Sequence, residues 1–234
     1  MTTATDKENR LRRAVSSALE LVKDGQIVGL GSGSTIAYFV GLLAEAIKRR
    51  SLEIQVIPSS MQIQIIVERF QIPQASPVSI PKIDVAFDGA DQVDERYNMI
   101  KGRGGAIFKE RVILRAAKTR AIIIETEKFG RVLDKPVPVE AGAFARTYVE
   151  LALRKLGGKP TLRLLDKGFP FLSENGAVIL DTAFGVVLQP KILRQQISDI
   201  PGVIEVGLFT DHLDALFLAE TDGSVKKSTP MSSG

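Results

Sequence analysis

The chain has 234 residues, 25% of them charged and 44% hydrophobic, with 31 basic against 27 acidic side chains and a formal net charge of +4. This is an ordinary globular composition, long enough to bury a substantial core in one large or two modest domains. It holds no cysteine and one histidine, His212, which excludes disulfides, thiol nucleophiles, thiolate metal sites and a metal centre built from several histidines. Basic residues cluster only weakly, at Arg10–Arg13 and Lys48–Arg50, without interleaved aromatics, so no nucleic-acid partner is expected. No stretch approaches the ~18 consecutive apolar residues of a membrane helix, and the start M-T-T-A-T-D-K-E lacks the apolar region of a signal peptide. No membrane partner is expected, and the cytoplasm, or an organelle stroma after processing, is the expected compartment.

Residues 6–23 read as an amphipathic helix, with Asp6 as cap and Leu11, Val15, Leu19 and Val22 at helical spacing. Asp24-Gly25 ends it. Ile27-Val28-Gly29-Leu30 reads as a short buried strand feeding the loop Gly31-Ser32-Gly33-Ser34-Thr35. Ile36, Phe39, Val40, Leu43 and Ile47 then mark a helix face. Strand, Gly/Ser/Thr loop and helix together form an anion site, because helix-terminal amides lack partners and the positive end of the dipole faces the loop. Ser34 or Thr35 as a simple cap of a plain turn is the competing reading. A dinucleotide fingerprint counted from Gly29 would need glycine at Ser34, and a P-loop would need Gly-Lys-Ser/Thr. Neither is present. Leu52–Ile57 reads as a second strand, Ile63, Ile66, Val67 and Phe70 as another helix face, and the Pro-rich 73–81 as a connector.

The stretch 83–110 carries the densest chemistry. Ile83–Phe87 is an apolar strand stopping at Asp88-Gly89-Ala90-Asp91. Lys101 then precedes the glycine-rich turn Gly102-Arg103-Gly104-Gly105, and a helix pattern from Ala106 places Glu110 in its first turns. Asp-Gly and Gly-Gly are common turn dipeptides, so each alone reads as punctuation. In one strand–turn–turn–helix unit they read as a site, because ligands of open α/β sheets gather at the carboxyl ends of strands. Carboxylates, a lysine and exposed amides suit proton movement on an anionic substrate. Glu110, between Lys109 and Arg111, reads from its neighbours alone as a charge on a solvated face. Ala121–Ile124 is a further strand, and Lys128 follows it at the carboxyl end. Asp88, Asp91 and Asp94 miss the spacing of a calcium-binding loop.

Alternating strands and helices argue for a parallel sheet covered on both faces. From Pro136 the texture changes. Strand candidates 137–140, 161–165, 177–183 and 203–209, with helices at 144–156 and 190–197, give the order β-α-β-β-α-β of a ferredoxin-like unit. Residues 215–219 offer another strand, paired back toward the first domain together with Val225, and the tail from Ser228 reads as frayed. The fold expected is therefore α/β, a Rossmann-like parallel-sheet catalytic domain of residues 1–133 plus 208–234, with a smaller ferredoxin-like domain of 134–207. His212 beside Asp211 reads as a surface histidine.

In order and over nearly the whole chain, these motifs resemble ribose-5-phosphate isomerase of the A type. The resemblance rests on G-L-G-S-G-S-T at 29–35, D-G-A-D at 88–91, K-G-R-G-G-A at 101–106 and K-E-R at 109–111. In the second domain it continues with L-G-G at 156–158, E-N-G at 174–176 with Asp181, I-P-G-V at 200–203 and G-L-F at 207–209. It implies interconversion of D-ribose 5-phosphate and D-ribulose 5-phosphate through an enediolate, with a phosphorylated pentose as substrate, no cofactor, no metal and a homodimer. It further implies that Glu110 is the general base, that Asp88 and Asp91 hold sugar hydroxyls and assist ring opening, and that Lys101 stabilises the oxyanion. Ser32, Gly33, Ser34 and Thr35 would form the substrate loop, with Gly89, Ala90, Gly102, Arg103, Gly104 and Lys128 as further substrate contacts. Two departures stand out: Ser32 where threonine is usual, and Arg103 where many members have glycine, which implies a less free turn. The alternatives are a non-catalytic sugar-phosphate sensor, which should carry a helix-turn-helix although only one helix precedes Ile27, and a related deaminase or CoA-transferase-like enzyme, for which His212 is poorly placed.

Overall fold

The computed structural model describes residues 4–78 and 82–229. In chain order the elements are α1 (Ala4–Ala18), β1 (Ile27–Leu30), α2 (Gly33–Arg50), β2 (Gln55–Pro58), α3 (Met61–Arg69), β3 (Ile83–Asp88), β4 (Gln92–Asp94), β5 (Met99–Ile100), α4 (Ile107–Ala116) and β6 (Ala117–Glu125). There follow β7 (Phe129–Gly130), β8 (Val137–Ala141), α5 (Arg146–Lys155), β9 (Lys159–Leu162), β10 (Val178–Ala183), α6 (Pro190–Ser198), β11 (Val203–Val206), β12 (Leu208–Phe209), β13 (Ala215–Ala219) and β14 (Val225–Ser228). Single 3-10 turns at Leu19–Leu21, Thr126–Lys128 and Ala143–Ala145 extend α1, β6 and the approach to α5. The fold is the expected α/β class. No helix among the described residues is long and apolar enough to cross a membrane.

The chain forms two compact units, Met1–Gly89 with Lys109–Lys128 and His212–Gly234, and Ala90–Phe108 with Phe129–Asp211. The first is organised by a six-stranded sheet of order β14-β13-β6-β3-β1-β2, parallel throughout except where β14 pairs antiparallel with β13. Its core takes Val28, Leu30, Val85, Phe87, Ile123 and Phe217 from the sheet and Val15, Ile36, Phe39 and Leu43 from α1 and α2. These strands are near-continuous apolar runs because helices cover both faces. Asp84 ties strand starts together: its carboxylate accepts from the Ile27 amide at 2.9 Å and from Lys118 Nζ at 2.7 Å. The connector after α3 is less loose than its prolines suggest, since Gln74 bridges to Val56 at the edge of β2. Its residues 79–81, and the tail beyond Thr229, lie outside the described residues.

The second unit holds a four-stranded antiparallel sheet of order β11-β8-β10-β9, which with α5 and α6 is the ferredoxin-like arrangement expected. A small sheet, β12-β5-β4-β7, belongs to the same unit. These units divide the chain differently from the expected domains: residues 90–108, 129–133 and 208–211 fall in the second unit, where β12 pairs with β5, β5 with β4 and β4 with β7, apart from the six-stranded sheet. The single strand expected over 203–209 is likewise two strands, in different sheets. The break is Gly207, whose N–H donates to Pro138 O at 2.7 Å and whose carbonyl accepts from the Lys101 amide at 2.9 Å. A Cβ there would stand 2.3 Å from Lys101 O, so only glycine lets the chain turn from β8 to β5.

Candidate active site

In the first unit, three adjacent parallel strands, β1, β3 and β6, deliver the candidate residues to one edge. The loop Gly31–Ser32 follows β1, Asp88 ends β3, and Lys128 closes the turn after β6. This is the carboxyl edge, where open α/β sheets bind ligands. α2 begins at Gly33, so Gly33, Ser34 and Thr35 form its first turn rather than a separate loop. Ser32 occupies the N-cap position, yet no side chain caps the helix, which sets aside the simple-cap reading of Ser34 or Thr35. The Ser32 hydroxyl instead donates to Glu110 Oε1 at 2.5 Å.

That contact follows from packing lower in the sheet. Ile113 of α4 lies over Gly29 so closely that a Cβ at Gly29 would meet its Cγ2 at 2.4 Å. Glu110 stands one turn earlier on the same helix face, which carries its carboxylate to the end of β1. Glu110 is only 2% exposed; the solvated-face reading is wrong. Its neighbours misled because Lys109 and Arg111 say nothing of where Ile113 packs.

Asp88 is 1% exposed, and its Oδ1 accepts from the Gly89 amide at 2.8 Å. Its carboxylate lies against the backbone of Gly31, where an added Cβ would fall 1.9 Å from Oδ1. Gly31 is thus the residue that allows Asp88 its place. Gly31→Ala is expected to push that carboxylate aside, lowering turnover at least about tenfold and destabilising the fold by roughly 1–3 kcal/mol through overpacking. Turnover and melting temperature of the variant check both. Thr35 contacts the Gly89 backbone region and is buried, while Ser34 is exposed. Lys128 is held in place indirectly: on the same turn Glu127 accepts from Arg10 Nη2 of α1 at 3.1 Å, and Lys7 pairs with Glu125 at 3.3 Å. Backbone hydrogen bonding and the Arg10 guanidinium keep the Glu127 carboxyl below the usual glutamate value.

The second unit brings together Asp91, Lys101 and the turn Gly102–Gly105. Lys101 is 3% exposed, with its Nζ 5.6 Å from the centre of the Phe209 ring. Asp91 Oδ2 accepts from the Arg103 amide at 3.0 Å, and the Asp91 amide donates to Ile100 O at 2.8 Å. Arg103 does not need a glycine's conformation: positive φ in this turn belongs to Gly102 and Gly105, and the Arg103 side chain is exposed. The arginine at this position therefore imposes no left-handed strain on the turn. Ala90 is buried and Gly104 exposed. Asp94 has a local task, accepting from the amides of Arg96 and Asn98 and from Asn98 Nδ2 to fix the β4–β5 turn.

His212 lies at the opposite edge of the six-stranded sheet. It precedes β13 beside the start of Ala121–Ala215 pairing, with Nε2 3.2 Å from Asp214 Oδ1. It stands apart from Ser32, Asp88 and Glu110.

A family model for ribose 5-phosphate isomerase A (phosphoriboisomerase A) matches residues 55–223. The chain belongs to the ribose 5-phosphate isomerase A family. It is 37% identical to ribose-5-phosphate isomerase A of Methanosarcina acetivorans over 96% of this chain and 95% of that protein. Against the enzyme of Thermomicrobium roseum the identity is 40%, covering 92% of each. Among solved structures, a D-ribose-5-phosphate isomerase in complex with phospho-erythronic acid superposes with a TM-score of 0.91 at 35% identity, covering 95% of this chain and 98% of the other. Ribose 5-phosphate isomerase A from Methanocaldococcus jannaschii gives 0.89 at 32%, covering 96% and 99%.

Missed in the sequence were Ile113, which places Glu110, Phe209 beside Lys101, and Arg163, which holds the glycine-rich turn. An apolar residue three positions after Glu110 was the one available signal for the first of these.

Proposed function

We propose that the chain is an aldose–ketose isomerase interconverting D-ribose 5-phosphate and D-ribulose 5-phosphate, a step of the non-oxidative pentose phosphate branch. The observation carrying this reading is the buried Glu110 carboxylate hydrogen-bonded to Ser32. It joins a carboxylate able to move a proton to the helix terminus suited to phosphate. Glu110 takes the proton from one of the two reacting carbons and returns it to the other. Lys101 stabilises the enediolate oxygen that forms between the two steps. Asp88 and Asp91 hold sugar hydroxyls and move the proton that opens the furanose ring. Amides of Gly33, Ser34 and Thr35, with Lys128, receive the phosphate, and Gly89, Ala90, Gly102, Arg103 and Gly104 are assigned as further substrate contacts. The phosphorylated sugar acid bound by a similar enzyme fits this reading. The comparisons do not support a sensor, a deaminase or a CoA-transferase-like enzyme. Incubation with ribose 5-phosphate tests it: ribulose 5-phosphate should accumulate to equilibrium without ammonia release, and no conversion would refute it.

Phosphate recognition at α2 makes a separate expectation. Gly33 has φ +79° and open space around it, so a bulky side chain there costs backbone strain and fills the approach to the helix amides. Gly33→Leu should raise KM for ribose 5-phosphate at least about tenfold, one hydrogen-bonded charge contact's worth. Normal KM would remove the phosphate from this turn.

Because the proton transfer is assigned to Glu110 and the charge to Lys101, turnover should survive exhaustive EDTA treatment; loss restored by magnesium would reassign Lys101. We place the enzyme in the cytoplasm as a homodimer, as the cysteine-free composition and the frequency of twofold assemblies favour. A monomer mass by light scattering would dispose of the dimer.

A further inference from the structure

The turn Gly102–Gly105 is held by a side chain with no role in the reaction described above. Arg163, just beyond β9, donates from Nη1 to Gly102 O at 2.8 Å and to Arg103 O at 3.1 Å. Its other edge is forked onto Asp181 of β10, Nε to Oδ2 at 2.8 Å and Nη2 to Oδ1 at 2.5 Å. The guanidinium also lies 5.4 Å from the centre of the Phe171 ring, and the edge of Phe171 packs against Gly105. The Glu174 amide donates to Gly105 O at 3.0 Å. Three of the turn's carbonyls are thus secured from the ferredoxin-like sheet and its following loop.

The consequence lies in peptide geometry. In a trans peptide the C=O and the next N–H point in opposite directions. The Gly102 carbonyl shares its peptide with the Arg103 amide, and that amide donates to Asp91 Oδ2. The Arg103 carbonyl shares its peptide with the Gly104 amide. By holding both carbonyls, Arg163 sets the aim of both amides: one onto Asp91, the other away from the guanidinium. A planar fork can do this and a point charge cannot, because Arg163 must serve Asp181 and two carbonyls at once.

We propose that Arg163, locked by Asp181, is a positioning residue of the isomerase: it orients the 102–103 and 103–104 peptides and so holds Asp91 and the Gly104 amide in the geometry that the enediolate requires. This rests on the functional reading above. Misplacement of about 1 Å far from the chemistry can cost 10²-fold in rate, and the loss falls on the transition state more than on the substrate.

The test compares Arg163→Met, Arg163→Lys and Asp181→Asn with the unchanged chain and with Lys159→Met, a substitution at an exposed position of β9. Turnover of ribose 5-phosphate, inhibition by phospho-erythronic acid, circular dichroism and melting temperature are measured for each. Expected are folded Arg163 and Asp181 variants with kcat lowered roughly 10- to 100-fold, KM changed less than about threefold, and affinity for the acid, which carries a carboxylate at the oxidised end of the sugar, lowered in step with kcat. Lys159→Met should match the unchanged chain. If Arg163→Met does not fold, Arg163→Lys carries the test, since it keeps the positive charge beside Asp181 and loses the fork. A folded Arg163→Lys with unchanged kcat would overturn the proposal, as would a loss confined to KM or one explained by the unfolded fraction. Absence of turnover in the unchanged chain would refute the functional reading and the positioning role with it.

Discussion

Glu110→Gln is expected to lower kcat on ribose 5-phosphate by about 10²–10⁴ with little change in KM. Glutamine keeps the size of the side chain and can still accept from the Ser32 hydroxyl, so the packing of α4 through Ile113 on Gly29 is undisturbed. What disappears is the basic oxygen. The carboxylate is almost wholly buried, so its rotamers are few and it is held for transfer before substrate arrives. That rigidity separates it from the exposed Glu95, whose change to glutamine is expected to leave kcat as it was. The pair of variants decides the matter: equal activity in both would remove Glu110 as the base. A fall in KM together with kcat would point instead to relief of strain against the substrate.

Lys101→Met is expected to lower kcat by about 10²–10³, the range lost when one donor to a developing oxyanion is removed. Methionine preserves most of the stem's apolar contacts and deletes the charge. The ammonium's surroundings favour a localised role. It is 3% exposed, faces the Phe209 ring, and its backbone is tied to Gly207. An aromatic face attracts a cation through its ring quadrupole, and a positive charge held in so buried a place acts strongly on an oxygen whose charge grows during the reaction. Steady-state kinetics with ribose 5-phosphate checks this, and kcat within twofold of the unchanged chain would move the oxyanion to another donor. Partial recovery in Lys101→Arg is not expected, because the planar fork needs a different approach to the same oxygen.

How much of this could be read in advance depended on whether the cause was local. The β1–loop–α2 segment was legible because an apolar run, closely spaced glycines and a helix face succeed one another within twenty residues. The ferredoxin-like order was legible for the same reason: each strand and helix of 137–206 carries its own periodicity. β4, β5 and β7 were not, being two or three residues long and stabilised by pairing partners more than a hundred residues away in the case of β5 and β12. The division at Gly207 depends on the carbonyls of Lys101 and Pro138, which no pattern around 207 announces. Arg163 was read only as part of a strand, because its meaning lies in two carbonyls sixty residues earlier. Asp88 and Lys101 stood out through the motifs around them, whereas the burial of Glu110 needed the helix to be seen on the sheet.

The serine that starts α2 spends its hydroxyl on Glu110 rather than on the helix's own amides. A conventional cap would contribute about 1 kcal/mol to the fold, so the first turn forgoes stability that, on the phosphate-binding role proposed for it, a small oxyanion would restore. Binding to the native state alone stabilises by RT ln(1 + [L]/Kd), and inorganic phosphate or sulfate in a storage buffer would act in this way. Such salts would make the protein look hardier in a melting experiment and slower in an assay, for one and the same reason. Thermostability and inhibition by simple anions should therefore rise together along a concentration series, and comparisons between variants of this turn are meaningful only in buffers free of them.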